Sequence, residues 1–497
     1  MAEPTVPATG AAVHGDLPDH IDAAVLKVAG VVVLGAIMSI LDITVVNVAL
    51  PTFQTTFGDG GSTVAYSHVA WTVTGYTLAL ATVIPLSGWA ADRFGTKRLY
   101  MTAITLFTLG SALCATATSI NMLIGFRVLQ GLGGGMLMPI GMTIMTRAAG
   151  PHRMGRLMAI LGVPMLLGPI CGPILGGWLI DHASWHWIFL INVPLGVIAL
   201  CYAFWALAKD HAEPTESFDF LGMALMSPGL AVFLYGVSSI PSKGTAADPH
   251  VWIPMLIGAV LMALFVRHSF TPEHPLLDLR LFHNRNFTIA IVTMFLFAGA
   301  FFGGLLLVPT YFQEIRHETP LHAGLLVAPQ GIGAMLTMPI AGALADKLPI
   351  GRIVPVGLGL IVIGMFGLTQ VSDTTPYGVI MAFLVVMGLG MGSTMMPLFT
   401  SALKTLTAHT VARGSTLLNI TQQIASSCGV ALMSVLLTNH LKGARTAPAA
   451  AHAYGLTFWV AWSLVALTLV WSFLLPRRRE VSHLLDDEGE EFVTAPH

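Results

Sequence analysis

One carboxylate lies in the middle of the first apolar stretch of the chain. Asp42 stands in the segment LDITVVNVALP, within a run that begins near residue 25 and is long enough to cross a bilayer. A charged aspartate at that depth is unfavourable unless it is protonated, paired or hydrated. On its own helix, the only polar side chain three or four positions away is that of Ser39, which carries no charge. A neutralising partner for Asp42 must therefore come from another helix.

A candidate partner lies in the fourth apolar stretch, LIGFRVLQGLGGG. Arg127 is the one basic residue placed well inside a predicted span, and a guanidinium at that depth must face the interior of a helix bundle. Helical spacing puts Gln130, Gly131 and Gly134 on the same side as the arginine.

Three roles for Asp42 stay open at this point. Burial alone favours its neutral form and would make it a proton carrier, whereas close contact with Arg127 favours the ionised form and would make a switchable ion pair. A carrier whose proton affinity depends on conformation could use both arrangements. The third role is purely structural, with the carboxylate capping a broken helix or bonded to Ser39 or Asn47.

The composition is that of a membrane protein. Of 497 residues, 55% are hydrophobic and only 10% are charged, whereas soluble domains carry roughly 25% charged residues. A net charge of −2 gives no basic surface for nucleic acid. We predict an all-α polytopic protein with about fourteen transmembrane helices, at residues 25–50, 66–90, 98–118, 121–145, 156–180, 187–208, 220–240, 251–268, 287–313, 322–345, 352–371, 377–400, 413–437 and 454–475.

The loops between these helices carry two further signals. Lysine and arginine concentrate in alternate loops and at the C-terminus, which places both termini in the cytoplasm. Two of those loops echo each other, GWAADRFGTKR from Gly88 to Arg98 and GALADKLPIGR from Gly342 to Arg352. Such repetition indicates two related halves packed around a central site. The spans at 220–240 and 251–268 have no counterpart in a six-plus-six scheme and are interpreted as inserted.

Six stretches, in this order, resemble the signatures of the major facilitator superfamily and of its fourteen-span drug:proton antiporters. They are LDITVVNVALP, GWAADRFGTKR, LIGFRVLQGLGGG, LGPICGPILGG, WHWIFLINVPLG and PLLDLRLFHNRNF, with FDFLG as a weaker echo. The resemblance covers nearly the whole chain and implies the major facilitator fold. The implied parts are a cytoplasmic tail (1–24), a six-helix bundle (25–208), two inserted helices with their loops (209–286), a second six-helix bundle (287–475) and a second cytoplasmic tail (476–497).

The resemblance also implies roles for a loop and a helix. In the first of the repeated loops, the residues that would form a cytoplasmic contact between the bundles are Gly88, Asp92, Arg93, Gly95 and Arg98. The second copy departs from the pattern, with Pro349 where the first has Gly95, so its role stays open.

The fifth helix carries a stripe of small residues. Gly168, Gly172 and Gly176 recur every fourth residue, which lets another helix approach closely. Pro169 and Pro173 weaken the hydrogen-bond ladder along the same turns, and Gly177 ends the motif. One interpretation is a generic packing seam. The resemblance implies more, namely a flexible contact between the two bundles that seals the pathway during the change of access.

The predicted cavity is apolar with scattered amides. Its candidate lining comprises Asn47, Tyr76, Gln130, Phe312, Gln330, Asn419, Gln422 and Gln423, with Met391, Met395 and Met396 as further candidates. The thirteenth helix offers amides where multidrug members of the family often carry an acid, so neutral or singly charged amphipathic compounds suit this cavity better than dications.

The function we expect is proton-coupled antiport that exports small amphipathic molecules by alternating access, without cofactor or metal. We expect a monomer in the plasma membrane, with protons, lipids and the exported compound as its partners and no nucleic acid. An enzyme is not expected, since no nucleophile and base cluster at depth. The alternatives are an exporter dedicated to an endogenous lipid, siderophore or secondary metabolite, and a transporter-like sensor without flux.

Overall fold

The chain is almost entirely helical in the computed structural model, which describes residues 23–58, 64–208, 218–243, 245, 247–404, 406, 410–442, 444 and 446–477. Its α-helices are, in chain order, α1 (Ala23–Thr56), α2 (Tyr66–Val69), α3 (Trp71–Phe94), α4 (Thr96–Cys114), α5 (Ile120–His182), α6 (His186–Leu190), α7 (Asn192–Ala206), α8 (Phe220–Lys243), α9 (Pro249–His268), α10 (Arg285–Glu314), α11 (Pro320–Lys347), α12 (Ile350–Thr369), α13 (Tyr377–Gly392), α14 (Met395–Lys404), α15 (Val411–Leu441) and α16 (Ala447–Ser472). A 3-10 helix, Leu279–His283, precedes α10. Within these ranges no β-strand is present.

Twelve helical stretches of the described part are long and apolar enough to cross a membrane. The chain is therefore a multi-pass membrane protein, as its composition predicts. Two predicted spans are not among the twelve: the span at 98–118 corresponds to α4, and the span at 156–180 is the second part of α5. These two helices make the predicted count of about fourteen compatible with the structure.

Helix α5 has 63 residues and folds back on itself. Gly141 and Gly168 are 27 positions apart in α5, a distance of about 40 Å in a straight helix. Both nevertheless face α1, at Val32 and Ile40, which are only eight positions apart. The chain therefore reverses between the two glycines, and α5 supplies two antiparallel passes.

The helices pack in two groups with a hairpin beside them. In the first group α5 contacts α1, α3 and α4, and α7 contacts α1 and α4; in the second group α10, α11, α12, α13, α14, α15 and α16 contact one another. Helices α8 and α9 pack on each other. This arrangement agrees with two bundles plus an inserted pair. The boundaries at residues 208 and 287 stay predictions, and the predicted tails 1–24 and 476–497 lie almost wholly outside the described residues.

The inserted hairpin lies across the seam between the bundles. Helix α8 contacts α3 of the first bundle and α15 of the second. One apolar cluster joins Ile84 of α3, Leu230 of α8 and Ile420 of α15. The hairpin therefore contacts both helix bundles.

A buried carboxylate fastens one end of this hairpin. Asp219 Oδ1 accepts hydrogen bonds from the Gly222 backbone N–H (2.7 Å) and from His268 Nε2 (2.7 Å). Its Oδ2 accepts from the Leu276 backbone N–H at 3.2 Å. These contacts connect the FDFLG segment with the PLLDLRLFHNRNF segment, so the two sequence signatures meet at one carboxylate.

We expect Asp219→Asn to loosen the hairpin. An amide nitrogen in place of one carboxylate oxygen presents a donor to groups that already donate, and each lost acceptor of this kind costs about 1–3 kcal/mol. Thermal unfolding of the purified protein in nanodiscs measures the loss. Asp278→Asn is the matched control. Asp278 also accepts from a backbone N–H at a helix start, that of Arg280 at 3.0 Å, but it is partly exposed, so the loss of its charge should cost less. Equal losses in the two variants would contradict the role given to Asp219.

Candidate functional site

Asp42 and Arg127 form an ion pair inside the first bundle. Arg127 Nη1 lies 2.5 Å from Asp42 Oδ2. Asp42 is 1% exposed and Arg127 is not exposed at all. The first pass of α5 places the guanidinium against the middle of α1. Of the arrangements that the sequence left open for Asp42, this geometry is that of close contact with Arg127.

The second carboxylate oxygen and the rest of the guanidinium are held by amides and a backbone carbonyl. Asp42 Oδ1 accepts from Gln130 Nε2 (2.8 Å) and from Asn192 Nδ2 (3.3 Å). Arg127 Nη1 also donates to Gln130 Oε1 (2.7 Å), and its Nε donates to the Thr72 carbonyl (3.0 Å). Side chains or backbone from α1, α3, α5 and α7 thus converge on one buried pair.

Tyr76 closes the site on the side of α3. The Arg127 guanidinium carbon lies 4.1 Å from the centre of the Tyr76 ring, within the range of a cation–π contact. The predicted Gly131 and Gly134 are what allows this approach, since a Cβ at either would lie 2.5 Å from an atom of Tyr76. The Tyr76 hydroxyl lies 3.3 Å from Ser39 Oγ.

The two local partners that a structural role predicts for Asp42, Ser39 and Asn47, are not the ones observed. Ser39 bonds to Tyr76, and Asn47 is exposed, so neither supplies the predicted local partner of the carboxylate. One guanidinium nitrogen, Arg127 Nη2, is buried without a hydrogen-bond partner among the described residues. A buried unpaired N–H costs about 1–3 kcal/mol, so the site is not a fully satisfied structural network.

The loop at Asp92 contacts both bundles. Asp92 Oδ1 accepts from Arg147 Nη2 of the same bundle at 3.3 Å. Its Oδ2 lies 3.9 Å from Arg413 Nε of the second bundle. Gly88 allows α3 to approach α15 closely, because a Cβ at this position would lie 3.0 Å from Thr416 Oγ1.

The other predicted members of this loop have different positions. Gly95 ends α3 and begins α4 with φ at 84°, a left-handed conformation that favours glycine. Arg93 and Arg98 are exposed. The turn thus depends on Gly95, while the contact with the second bundle is made by Gly88 and Asp92.

The second copy of the loop also joins the bundles, through Asp346. Its Oδ1 accepts from the Gly155 backbone N–H at 2.8 Å, and its Oδ2 lies 3.8 Å from Arg156 Nε, both in the first bundle. Lys404 Nζ of its own bundle lies 3.7 Å away. The contact is made by the carboxylate, which precedes Pro349 by three positions, so the proline does not prevent it.

The two loops therefore make equivalent contacts, each with one base of its own bundle and one of the other. The bases Arg147, Arg156, Lys404 and Arg413 were recognised in the sequence only as topology signals. Gly155 was not singled out at all. The sequence marks this residue only as a glycine. In the structure, a Cβ at this position would lie 2.3 Å from the Gly342 carbonyl oxygen.

These contacts close one end of the molecule, called here the Asp92 end and defined by Asp92 and Asp346. Among the described residues, the hydrogen bonds and ion pairs that join the bundles lie in the half of the protein toward this end. The deepest of them runs from Asn419 Nδ2 to Met142 Sδ at 3.2 Å.

The glycine stripe of α5 packs differently from what the resemblance implied. Gly168, Gly172 and Gly176 face α1, where added Cβ atoms would meet Ile40, Thr44 and Val45. The stripe is therefore a seam inside the first bundle, beside the helix that carries Asp42. On the same pass of α5, nearer the Asp92 end, Gly155 and Gly162 contact the second bundle. Gly177 faces open space, and the side chains of Pro169 and Pro173 lie outside the described part.

The predicted cavity residues separate into two sets. Tyr76 and Gln130 belong to the buried pair, and Phe312 is buried against Tyr311 and Tyr377, so these three do not line a cavity between the bundles. Gln422 does line a small cavity, with Met294, Phe297, Ala298, Phe302, Met395, Leu398 and Phe399.

The remaining candidates lie in or near the second bundle. Gln330 is buried, and neither atom of its amide has a hydrogen-bond partner in the described structure. Gln423 is half-buried, as is Asn419. Met391 and Met396 are buried in the core.

Two helical bundles that meet through paired loops, with an ion pair buried inside one of them, have the architecture of a secondary transporter. Residues 32–430 match the family model of the Major Facilitator Superfamily. The chain is 48% identical over 507 aligned positions to a "Multidrug resistance protein B homolog" of Mycobacterium tuberculosis, covering 94% of this chain and 92% of that protein. It is 32% identical over 411 positions to the "Putative multidrug resistance protein MdtD" of Escherichia coli, covering 82% and 85%. The chain belongs to the Major Facilitator Superfamily.

Solved structures show the same fold. The proton:xylose symporter XylE superposes with a TM-score of 0.65 at 14% identity, covering 94% of this chain and 99% of that one. The human organic anion transporter MFSD10 superposes with a TM-score of 0.61 at 17% identity, covering 89% and 99%.

Proposed function

We propose that this transporter is a proton-coupled antiporter that exports small amphipathic compounds from the cell. It works in the plasma membrane with both termini in the cytoplasm, by alternating access between the two bundles. The observation that carries the proposal is the fully buried Asp42–Arg127 pair. The names of the Mycobacterium tuberculosis and Escherichia coli relatives, both multidrug resistance proteins, support the substrate class.

The geometry of the pair supports coupling between proton binding and conformation. An ionised Asp42 neutralises Arg127 and accepts its hydrogen bond. A protonated Asp42 would leave a buried guanidinium without an anion, and removing one partner of a buried pair costs about 3–5 kcal/mol. Proton binding therefore disfavours the packing seen here and favours a conformation in which water reaches the arginine.

The closed Asp92 end supports the assignment of conformational state. Under the predicted topology this end faces the cytoplasm, so the structure is sealed on the inner side. In this state the pair is ionised and the proton has been released. Return to the inward-facing state requires Asp92 and Asp346 to leave their partners in the opposite bundle.

Two related dyes test the proposal. Ethidium carries one positive charge and propidium two on the same ring system. In inverted membrane vesicles energised by a proton gradient, we expect ethidium to accumulate and propidium not to, because the described spans hold one deep carboxylate and it is already paired. A protonophore should abolish the accumulation. The measurement is dye fluorescence with and without the protonophore.

Three outcomes decide the matter. Ethidium accumulation that survives the protonophore would overturn proton coupling. Equal transport of both dyes would overturn the charge selectivity. Absence of any dye transport, together with a specific metabolite retained in cells lacking the protein, would replace multidrug export by the dedicated exporter.

A further inference from the structure

A residue outside α1 and α5 completes the environment of Asp42. Asn192 is 2% exposed and is the first residue of α7, separated from α6 by Ile191 alone. It lies in WHWIFLINVPLG, a signature to which the mechanism above gives no role. Its Nδ2 donates to Asp42 Oδ1 at 3.3 Å and to Ser111 Oγ at 3.1 Å.

The hydrogen bonds of Asn192 continue to the end of α6. Ser111 Oγ donates to the Phe189 carbonyl at 2.9 Å. Phe189 in turn packs on Phe53 of α1 with stacked rings 6.3 Å apart. A continuous chain of contacts therefore connects the carboxylate with the break between α6 and α7.

The two oxygens of Asp42 have different surroundings. Oδ1 faces two N–H donors, from Gln130 and Asn192, and a proton placed there would oppose both. Oδ2 accepts from Arg127 alone among the described residues, and it can take a proton once the arginine has moved away. The amides thus direct protonation to the oxygen that Arg127 occupies.

We propose that Asn192 is a positioning residue for proton coupling, which reserves Oδ2 of Asp42 as the oxygen that is protonated and links this event to the α6–α7 break. The inference rests on the proposed function. The titratable or charged groups that face the site are Arg127 from α5, Tyr76 from α3 and Cys114 from α4, whose Sγ lies 3.7 Å from Gln130 Oε1. None of them donates to Oδ1. Of its two donors, Gln130 also accepts from Arg127 Nη1, so Asn192 is the contact whose change leaves the hydrogen bonds of the arginine in place.

Infrared titration of the purified protein measures the effect without transport. The carbonyl stretch of the protonated carboxyl is assigned by its loss in Asp42→Asn. Asn192→Leu keeps the shape and removes the donor, so protonation should persist to higher pH, by about one pH unit or a tenfold change in proton binding. Asn192→Ser keeps a shorter donor and should shift less in the same direction. The pH dependence of ethidium accumulation should move by a similar amount.

Ser111→Ala is the control, since it removes the second partner of Asn192 but leaves the amide beside Asp42. It should shift the titration less than Asn192→Leu. An unshifted midpoint in both Asn192 variants, even with slower transport, would reduce Asn192 to a packing residue and overturn the inference. If wild-type transport ignores the protonophore, the proposed function fails, and the infrared titration still decides what Asn192 does.

Discussion

Asp42→Asn should abolish uphill transport while leaving a protein that still reaches the membrane. The amide side chain does not bind a proton near neutral pH, and it has no negative charge to neutralise Arg127. We expect ethidium accumulation in energised vesicles to fall to that of vesicles lacking the transporter. The buried guanidinium, deprived of its anion, should lower the free energy of unfolding by about 3–5 kcal/mol.

The double variant Asp42→Asn, Arg127→Gln separates the two losses. Removing both charges leaves no uncompensated ion, so thermal stability should recover most of the loss, but proton-driven accumulation should not return. Glu273→Gln, at an exposed loop position, is the control for loss of a carboxylate elsewhere. Uphill export by the single variant, measured at normal abundance in the membrane, would refute proton coupling through Asp42.

Asp346→Asn should open the Asp92 end more than Asp92→Asn does. Asp346 is 4% exposed and accepts a backbone N–H of the opposite bundle at 2.8 Å, whereas Asp92 forms an ion pair across the seam at 3.9 Å. A hydrogen bond to a charged group contributes about 1.5–3 kcal/mol, which corresponds to roughly a tenfold to hundredfold change in the ratio of open to closed molecules. Solvent-exposed ion pairs contribute about 0–1 kcal/mol. The Asp92–Arg413 pair is less exposed than these, but its 3.9 Å separation is beyond hydrogen-bond distance.

Labelling of a single cysteine measures this ratio. Ser415 is fully buried at the Asp92 end, so a Ser415→Cys variant without the native cysteines should react with a membrane-impermeant thiol reagent only when that end opens. We expect faster labelling in the Asp346→Asn background than in the Asp92→Asn background, with Asp373→Asn, a turn residue outside the seam, as the control. The reverse order would show that the first loop dominates, as its closer match to the family pattern suggests.

The sequence predicted the helices, and it singled out Asp42 and Arg127 as the one acid and the one base at depth, but it left open whether they pair. Apolar runs of bilayer length give the spans, and one acid and one base at depth must find each other or water. Gln130 followed from its position one helical turn after Arg127. The contact of Asp346 with Gly155 could not be predicted in this way, since the two residues are 191 positions apart and the donor is a backbone N–H.

The glycine stripe shows a different limit. A small-residue pattern states that some helix approaches closely, but it contains no information about which helix does so. Here the neighbour is α1, in the same bundle, which agrees with the interpretation of a packing seam, whereas the resemblance implied a contact between the bundles. Asn192 was overlooked for a related reason, because an amide at the start of a helix carries no depth signal of its own.

The burial of the Asp42–Arg127 pair limits proton leakage through the transporter. Neither side chain is more than 1% exposed, so the pair is not part of an open water path across the membrane in this structure, and a proton reaches Asp42 only when the packing around it changes. Cells could therefore keep many copies in the membrane without short-circuiting the gradient that drives ATP synthesis.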